Sequence, residues 1–186
     1  TNSGSANWRG DLLMYSMDAY GSVNGSYLWS AAARIAAQTA VNRNIFTYNR
    51  ATRQGAPFAS NAGTWLTDNF SSDGYGGTAD AYAAERINYL RGDRTKEATN
   101  ATPQMRPRTA AGNDPTTGSP LGDIINSTPV FIPNNGPKPA ECDYNATLKA
   151  AIQARSPMVA VGANDGMLHV FKATDDSTGG TEVFAY

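Results

Sequence analysis

The chain has 186 residues, of which 15 are basic and 16 acidic, so its net charge at pH 7 is −1. This length is enough for one domain with its own hydrophobic core. No basic run is present to displace counterions from a nucleic acid, and no apolar run approaches the roughly 20 residues of a membrane span. Gly, Ser, Thr, Asn and Ala replace much of the usual Lys/Glu surface. This composition is typical of a loop-rich, partly β extracellular protein.

Two similar stretches near the two ends of the chain predict a repeat. RGDLLMYSMDAYGSVNGSYLW (9–29) aligns with DGMLHVFKATDDSTGGTEVF (165–184), so that Gly10 matches Gly166 and Tyr15 matches Phe171. Each stretch has an apolar strand, a polar turn containing glycine, and a second apolar strand. We therefore predict propeller-type hairpins over residues 1–30 and 158–186.

The C-terminal unit also indicates the type of sheet. In MVAVGANDGMLHVF (158–171) an Asn-Asp-Gly turn separates two β-type runs, and the second run is apolar on both faces. Such a strand is expected to be covered on both faces, as in the blades of a β-propeller. We predict a mainly β fold with helical insertions, a partial quinoprotein-like β-propeller. Two hairpins fall short of the roughly four to eight blades of a propeller, so we expect a segment of one larger domain.

The residues between the hairpins, 31–157, are predicted to form an insert with elements of its own. Apolar spacing predicts one helix near 78–91 and a second near 143–155. The tract near 97–120, rich in Pro, Thr, Gly and Asn, is predicted to be a flexible loop. A helix, a helical turn and a strand are also expected within Trp29–Ala40, Thr64–Phe70 and Pro129–Ile132.

Few residues suggest chemistry, and each has a structural interpretation that we favour. His169 and Cys142 are the only histidine and cysteine, too few ligands for a zinc site. His169 lies in an apolar strand, which favours a packing role. Asp123 and Asp165 are metal ligands or acids in one interpretation and turn residues in the favoured one. Cys142 is either a lone thiol or the partner of a cysteine outside this chain. We predict no catalytic, cofactor-binding or metal residue.

The tripeptide Arg-Gly-Asp, which integrins recognise on adhesive ligands, occurs as Arg9-Gly10-Asp11 and as Arg91-Gly92-Asp93. Integrin recognition needs both charged side chains to project from an exposed loop. Gly92 comes where the end of a helix needs a left-handed residue, and Arg91 suits the negative end of the helix dipole. Gly10 aligns with the turn glycine Gly166. We favour structural roles and keep integrin binding as the alternative for both motifs.

Four strings, taken together and in order, resemble one known family. They are NRNIFTYN (42–49), ERINYLRGDRTKE (85–97), LGDIINSTPVFI (121–132) and MVAVGANDGMLHVFKA (158–173). They resemble the C-terminal β-propeller region of the PilY family of type IV pilus assembly and tip-associated proteins, over roughly residues 8–186. The resemblance implies a secreted, non-enzymatic protein at the bacterial cell surface that supports pilus assembly, adhesion and twitching motility. The partners implied are minor pilins or the pilus tip, host-cell receptors and the rest of its own propeller.

The resemblance implies no cofactor for this segment. The family's propeller can carry a calcium loop of the Asp-x-Asp-x-Asn type, which we expect elsewhere in the full-length protein. DGYGGTAD (73–80) has two acids but too few oxygen ligands at the spacing of a calcium loop. The alternative function is a quinoprotein-like propeller enzyme that uses pyrroloquinoline quinone, because both groups share blade strands of this form.

Overall fold

The computed structural model describes residues 10–72, 79–97, 100–108, 119–134 and 146–186. Within these ranges the strands are β1 (Leu13–Met17), β2 (Val23–Ser30), β3 (Phe46–Asn49), β4 (Gln54–Pro57), β5 (Val130–Ile132), β6 (Met158–Gly162), β7 (Leu168–Lys172) and β8 (Glu182–Ala185). The helices are α1 (Ala31–Ala37), α2 (Thr64–Thr67), α3 (Ala83–Arg91) and α4 (Ala146–Ala154). Short 3-10 turns occur at Ala40–Asn42, Asp68–Phe70 and Thr95–Glu97.

Strands β5, β6, β7 and β8 form one antiparallel sheet in that order, which is the architecture of a propeller blade. The blade is larger than the hairpin predicted over 158–186, because β5 pairs with β6 from within the predicted insert. A short turn between two strands is visible in a sequence, whereas the connection from β5 to β6 is long and gives no local signal. The Pro129–Ile132 prediction had nevertheless located this strand, which starts at Val130.

Strands β1 and β2 form the N-terminal hairpin, with Tyr15 opposite Tyr27 and Met17 opposite Val23. One face of the hairpin packs into the first of two core clusters through Met14 and the buried Trp29. That cluster also contains side chains from the blade and from α1, and its buried members are Trp29, Ala31, Ala32, Ile35, Leu121, Val159, Val161 and Phe171. The hairpin and the blade are therefore held together by a shared core.

Helix α1 follows β2 directly, as the alanine content of that stretch predicted. Ser30 is its N-cap, and its Oγ accepts the N–H of Ala33 at 3.1 Å. Ile35 is 1% exposed and anchors the helix in the first core cluster. The helix is shorter than Trp29–Ala40, since it ends at Ala37.

Helix α3 lies within the range predicted for it and begins at Ala83. Gly92 ends it with φ 111°, and the Gly92 N–H donates to the carbonyl of Tyr89 at 2.9 Å. Ile87, which is fully buried, holds α3 in the second core cluster. The buried members of this cluster are Ile45, Phe58, Leu66, Ile87, Met167 and Ala185.

The helix predicted near 143–155 is observed as α4, Ala146–Ala154, whereas the loop predicted near 97–120 is described only in part. Helix α4 contains no buried residue, and its Leu148 is 44% exposed, so the apolar spacing that predicted the helix does not correspond to a buried face. The described flanks of the predicted loop at 97–120 are anchored: Arg108 donates to Glu97 at 2.6 Å, and the side chains of both are more than nine-tenths buried. Composition suggested a solvated loop because it cannot show that two charges are paired.

The sheets of the described residues do not close into a ring, and helices lie between them in the sequence. The predicted fold class, a mainly β protein with helical insertions and a partial propeller, is confirmed. Among the described helices, none is long and apolar enough to cross a membrane.

Candidate functional site

The turn between β6 and β7 is organised by Asp165. Its Oδ1 accepts the N–H of Met167 at 3.1 Å, and its Oδ2 accepts the N–H of Gly122 at 3.0 Å. Gly166 follows with φ 87°, a conformation that glycine adopts at low cost. A Cβ on Gly122 would collide with the backbone nitrogen of Asp165, so this close approach also needs a glycine. Asp165 thus has the turn role predicted for it and joins the turn to the segment before β5.

His169 lies on β7, is fully buried, and contacts a carboxylate with each ring nitrogen. Its Nδ1 is 2.8 Å from Oε1 of Glu182, and its Nε2 is 2.9 Å from Oδ2 of Asp165. The imidazole stacks on Phe171 with the ring centroids 5.9 Å apart. Because both nitrogens are engaged, neither is available to take a proton from a substrate. The packing role predicted for His169 comes with ionic contacts that the sequence did not reveal.

Glu182, on β8, extends these contacts to Arg43. Arg43 donates from Nε to Oε2 at 2.7 Å and from Nη2 to Oε1 at 2.9 Å, and the two side chains are 2% and 1% exposed. Its Nη1 donates to the carbonyl of Arg91 at 2.8 Å. A buried ion pair needs such extra hydrogen bonds, since the cost of desolvation otherwise exceeds the attraction. We call Asp165, His169, Glu182 and Arg43 the buried charge network.

The buried charge network favours the ionised form of each acidic and histidine member. Burial opposes ionisation of Glu182, but hydrogen bonds from Arg43 and His169 outweigh it and lower its pKa from 4.5 to about 2. For the same reason the pKa of Asp165 is lowered, despite burial, by its hydrogen bond with His169. Burial also opposes protonation of His169, yet the hydrogen bonds to Asp165 and Glu182 raise its pKa above 6.5. The histidine is therefore held as an imidazolium between two carboxylates.

This arrangement can stabilise the fold through buried ion pairs. Within the described residues, no group of three His, Cys, Asp or Glu side chains could hold a metal ion. The hydrogen bonds of the His169 ring go to carboxylates, and a nucleophile–base pair would need one to a hydroxyl or thiol. The network links the segment before β3, strands β7 and β8, and the β6–β7 turn. Asp123 supports the same turn through its backbone carbonyl, which accepts the N–H of Asn164 at 2.8 Å.

The Arg91-Gly92-Asp93 tripeptide lies at the end of α3, with its arginine directed inward. Arg91 is 8% exposed. Its guanidinium donates to the carbonyls of Phe58, Ala40, Val41 and Arg43. Oδ1 of Asp93 accepts the N–H of Thr95 at 2.8 Å. Integrin recognition needs an arginine that projects from an exposed loop. Arg91 is buried instead, so it does not have that geometry.

In the tripeptide at residues 9–11, Arg9 lies outside the described residues, while the other two residues have structural roles. Gly10 is buried, and an added Cβ would collide with the carbonyl of Gly122. Asp11 bridges β2 and α1: its Oδ2 accepts the hydroxyl of Ser30 at 2.6 Å and its Oδ1 accepts the N–H of Ala32 at 2.9 Å. Asp11 therefore supplies hydrogen-bond acceptors at the start of α1.

The remaining candidates are at or beyond the edges of the described residues. Cys142 lies outside them, as does Asp73, the first acid of the 73–80 stretch. The second acid, Asp80, binds the guanidinium of Arg86 through both oxygens. That hydrogen bonding lowers the pKa of Asp80 from 3.8 to about 2. Asp80 therefore has a cation partner in its own chain.

Sequence reasoning missed Arg43 and Glu182, although one signal for Glu182 was present. Glu182 begins the strand EVFA, in a unit whose strands were predicted to be covered on both faces. A charged residue in such a strand requires a buried partner of opposite charge. Nothing local identifies Arg43 as that partner, because 139 positions separate the two residues.

The N-terminal hairpin presents an apolar surface opposite its core face. Its exposed members are Leu13 (39%), Tyr15 (39%), Met17 (64%), Val23 (61%) and Tyr27 (46%). Two sheets of a propeller pack face to face, so a hairpin with one covered and one open apolar face has the form of an incomplete blade. A complete blade joined to an incomplete one defines the chain as part of a β-propeller protein.

Comparison with known proteins identifies which propeller family this is. Residues 121–186 match the family model described as the PilY1 beta-propeller domain. Over 98% of its length the chain is 35% identical to the type IV pilus biogenesis factor PilY1 homolog of Xylella fastidiosa. Over 97% it is 33% identical to the type IV pilus biogenesis factor PilY1 of Pseudomonas aeruginosa strain UCBPP-PA14. Residues 121–186 therefore match the PilY1 propeller family, and the chain is similar to PilY1 proteins over nearly its whole length, which confirms the resemblance found in the sequence.

The chain spans only a small part of these relatives, 13% of the Xylella protein and 15% of the Pseudomonas protein. No solved structure matches it. The family match begins at Leu121, just before β5, and extends to Tyr186, so it contains the complete blade.

Proposed function

We propose that this chain is the propeller segment of a secreted, surface-exposed factor for type IV pilus biogenesis. The observation that carries the proposal is the identity of 33–35% to proteins named as PilY1 biogenesis factors, which extends over 97–98% of the chain. The complete blade within the family match supports it. The finer part of the proposal is that the protein also takes part in surface adhesion and twitching motility.

The working surface of the segment would consist of loops and helices carried on the blades, since rigid sheets position variable connections. We propose minor pilins or the pilus tip as partners of the whole protein. The rest of its own propeller would cover the open apolar face of the β1–β2 hairpin. Five apolar side chains that are each 39–64% exposed form a surface suited to another sheet.

Host-cell attachment belongs to the proposal without relying on Arg91, which is buried. Asp93→Ala tests whether the tripeptide itself contributes. Loss of attachment with unchanged folding would support integrin-type recognition, whereas loss of folding would support the structural role of Asp93 at the end of α3. Asp68→Ala, which changes an exposed carboxylate in the Asp68–Phe70 turn, is the matched control.

The proposed function is not enzymatic. Both nitrogens of the single histidine are bound to carboxylates, so the buried charge network supports a structural role. The comparisons give no support to the alternative of an enzyme that uses pyrroloquinoline quinone. Dye reduction that depends on added quinone and calcium would overturn this part of the proposal.

The role in pilus biogenesis is tested in a strain in which the gene for the full-length protein is deleted and then complemented. The complementing versions are the wild type, Phe171→Ala in the blade core, and Tyr20→Ala, which changes a side chain that is 95% exposed. We expect Phe171→Ala to reduce sheared surface pilin and the twitching zone, and Tyr20→Ala to leave both unchanged. Wild-type amounts of surface pili in the deletion strain would refute the role in biogenesis.

A further inference from the structure

A cleft of about 520 Å³ lies between the β3–β4 hairpin and α2, away from the buried charge network. It combines aromatic and aliphatic side chains with amides and one arginine. Its lining includes Tyr48, Asn49, Arg50, Phe58, Trp65 and Phe70. Nothing in the proposed pilus function uses this cleft.

The aromatic wall of the cleft is held in place by the surrounding structure. The indole N–H of Trp65 donates to the carbonyl of Ala62 at 2.9 Å. Phe70 meets Phe58 edge to face, with the ring centroids 5.6 Å apart. Tyr48 is 47% exposed and presents a ring to solvent beside this wall. A wall fixed in this way loses little conformational entropy when a ligand binds.

Asn49 supplies a directed hydrogen-bond donor at the base of the cleft. It is 8% exposed, and its Oδ1 accepts the N–H of Ala51 at 2.9 Å and that of Thr52 at 3.3 Å. These two bonds fix the amide, and among the described residues the hydrogen bonds of its side chain are made by Oδ1, which leaves the NH2 group available to a ligand in the cleft. An amide donor that is fixed in this way and lines a cleft suits a ligand with an acceptor oxygen.

Arg50 supplies a positive charge at the rim of the cleft. It is exposed, and among the described residues no carboxylate forms a salt bridge with it. The described lining contains no Asp or Glu, so the charge of Arg50 is not neutralised from within the cleft. A guanidinium in this setting suits a carboxylate, which it binds through two parallel hydrogen bonds.

We propose that this cleft binds a carboxylate-bearing sugar, such as a uronic acid residue of an acidic polysaccharide. The C–H face of the sugar ring would pack on the ring of Tyr48 or Trp65. A sugar hydroxyl would accept from the NH2 group of Asn49, and the carboxylate would pair with Arg50. An acidic peptide would satisfy Arg50, but it has no flat saturated ring for the aromatic wall. The sugar therefore accounts for all three features.

Calorimetric titration of the full-length protein with oligogalacturonate tests the proposal. A neutral galactose oligosaccharide of the same length and a glutamate-rich peptide of the same charge serve as comparison ligands. We expect the acidic sugar to bind and the other two to bind at least tenfold more weakly. Equal binding of the neutral sugar, or preferential binding of the peptide, would overturn the proposal.

Two pairs of variants locate the binding. Arg50→Ala is expected to weaken binding about tenfold, as loss of a charge-assisted hydrogen bond predicts. Arg53→Ala removes an exposed arginine three positions away that does not line the cleft, and it is expected to leave binding unchanged. Likewise Tyr48→Ala should weaken binding, while Tyr20→Ala should not. Equal losses of affinity for Arg50→Ala and Arg53→Ala would show nonspecific charge attraction. Equal losses for Tyr48→Ala and Tyr20→Ala would show nonspecific aromatic contact. Either result would refute the site.

Discussion

The β1–β2 and β7–β8 hairpins share a sequence pattern but differ in what their strands contact. When Gly10 is aligned with Gly166, Leu13 corresponds to His169 and Tyr15 to Phe171. Leu13 and Tyr15 are each 39% exposed, whereas His169 and Phe171 are fully buried. Strand β7 has a neighbour on each edge, β6 and β8, while β1 has one partner among the described strands, β2.

The difference shows that a repeat pattern predicts the local hairpin but does not predict how deeply its strands are buried. In both units the two strands pair antiparallel, because a polar turn that contains glycine separates two apolar runs. Only the C-terminal hairpin, within a complete sheet and next to the segment before β3, is enclosed enough to hold an ionic group. Its aligned position therefore carries a histidine between two acids, where the N-terminal hairpin carries a half-exposed leucine.

The largest expected effect comes from removing the aligned aromatic residue in each hairpin. Phe171→Ala should lower the free energy of unfolding by about 4 kcal/mol, because it leaves a cavity in the first core cluster. Tyr15→Ala should lower it by about 1 kcal/mol or less, since its side chain is partly solvated already. Urea unfolding followed by circular dichroism measures both. Equal losses would mean that the two hairpins are equally enclosed in solution.

The next effect concerns the ionic group that only one hairpin contains. Glu182→Gln should destabilise the protein by about 3 kcal/mol, because Arg43 and His169 would lose their shared carboxylate while they remain buried. Asp175→Asn removes an exposed charge from the same hairpin and is the control, with almost no expected change. The same urea unfolding curves give the comparison. A Glu182→Gln protein as stable as the control would show that the network contributes no net stability.

The sequence predicted the local parts of this structure well, because their causes are local. Gly92 could be assigned to the end of α3 from its place after an amphipathic run, and the Asn-Asp-Gly turn predicted the β6–β7 connection. The fold class followed from strands that are apolar on both faces. The pairing of strands that are far apart in the chain was not predicted. Strand β5 completes the blade by pairing with β6, and a long connection separates the two strands.

The candidate site shows the same limit. Asp165 and His169 were singled out as residues, and their structural roles were favoured, but the network that joins them was not found. The network depends on Arg43, which lies 139 positions before Glu182 in the chain. A sequence shows that Glu182 needs a partner, but only the fold brings Arg43 within 2.7 Å of it.

The pH dependence of the free energy of unfolding should also differ in origin between the two hairpins, because His169 and Glu182 belong to the C-terminal one. The pKa of His169 is raised above 6.5 in the folded protein, so its contribution is complete below pH 6.5 and is lost as pH rises through the folded pKa. The pKa of Glu182 is lowered from 4.5 to about 2, so its contribution is present above pH 4.5 and is lost as pH falls towards 2. We expect greatest stability between about pH 4.5 and 6.5.

Urea midpoints measured across this range for the wild type and His169→Gln test the assignment. The variant should be less stable at pH 6 and should lose the decline above pH 6.5. A decline that persists unchanged in His169→Gln would show that another group causes it. Leu13→Gln, at the aligned position, should leave the pH dependence of stability as in the wild type.

The smallest effect is expected in the turns, where the two hairpins are alike. Oδ1 of Asp18 accepts the N–H of Tyr20 at 2.9 Å and that of Ser22 at 2.8 Å, and Oδ1 of Asp176 accepts the N–H of Thr178 at 2.7 Å. Both carboxylates are exposed, and their bonds to described residues lie within their own turn, in the manner that favours Asp at such positions. Asp18→Ala and Asp176→Ala should therefore cause small and similar shifts of the urea midpoint, well below that of Glu182→Gln. A much larger loss for Asp176→Ala would mean that the turn as well as the strands depends on the blade, and the contrast between the hairpins would then extend along their whole length.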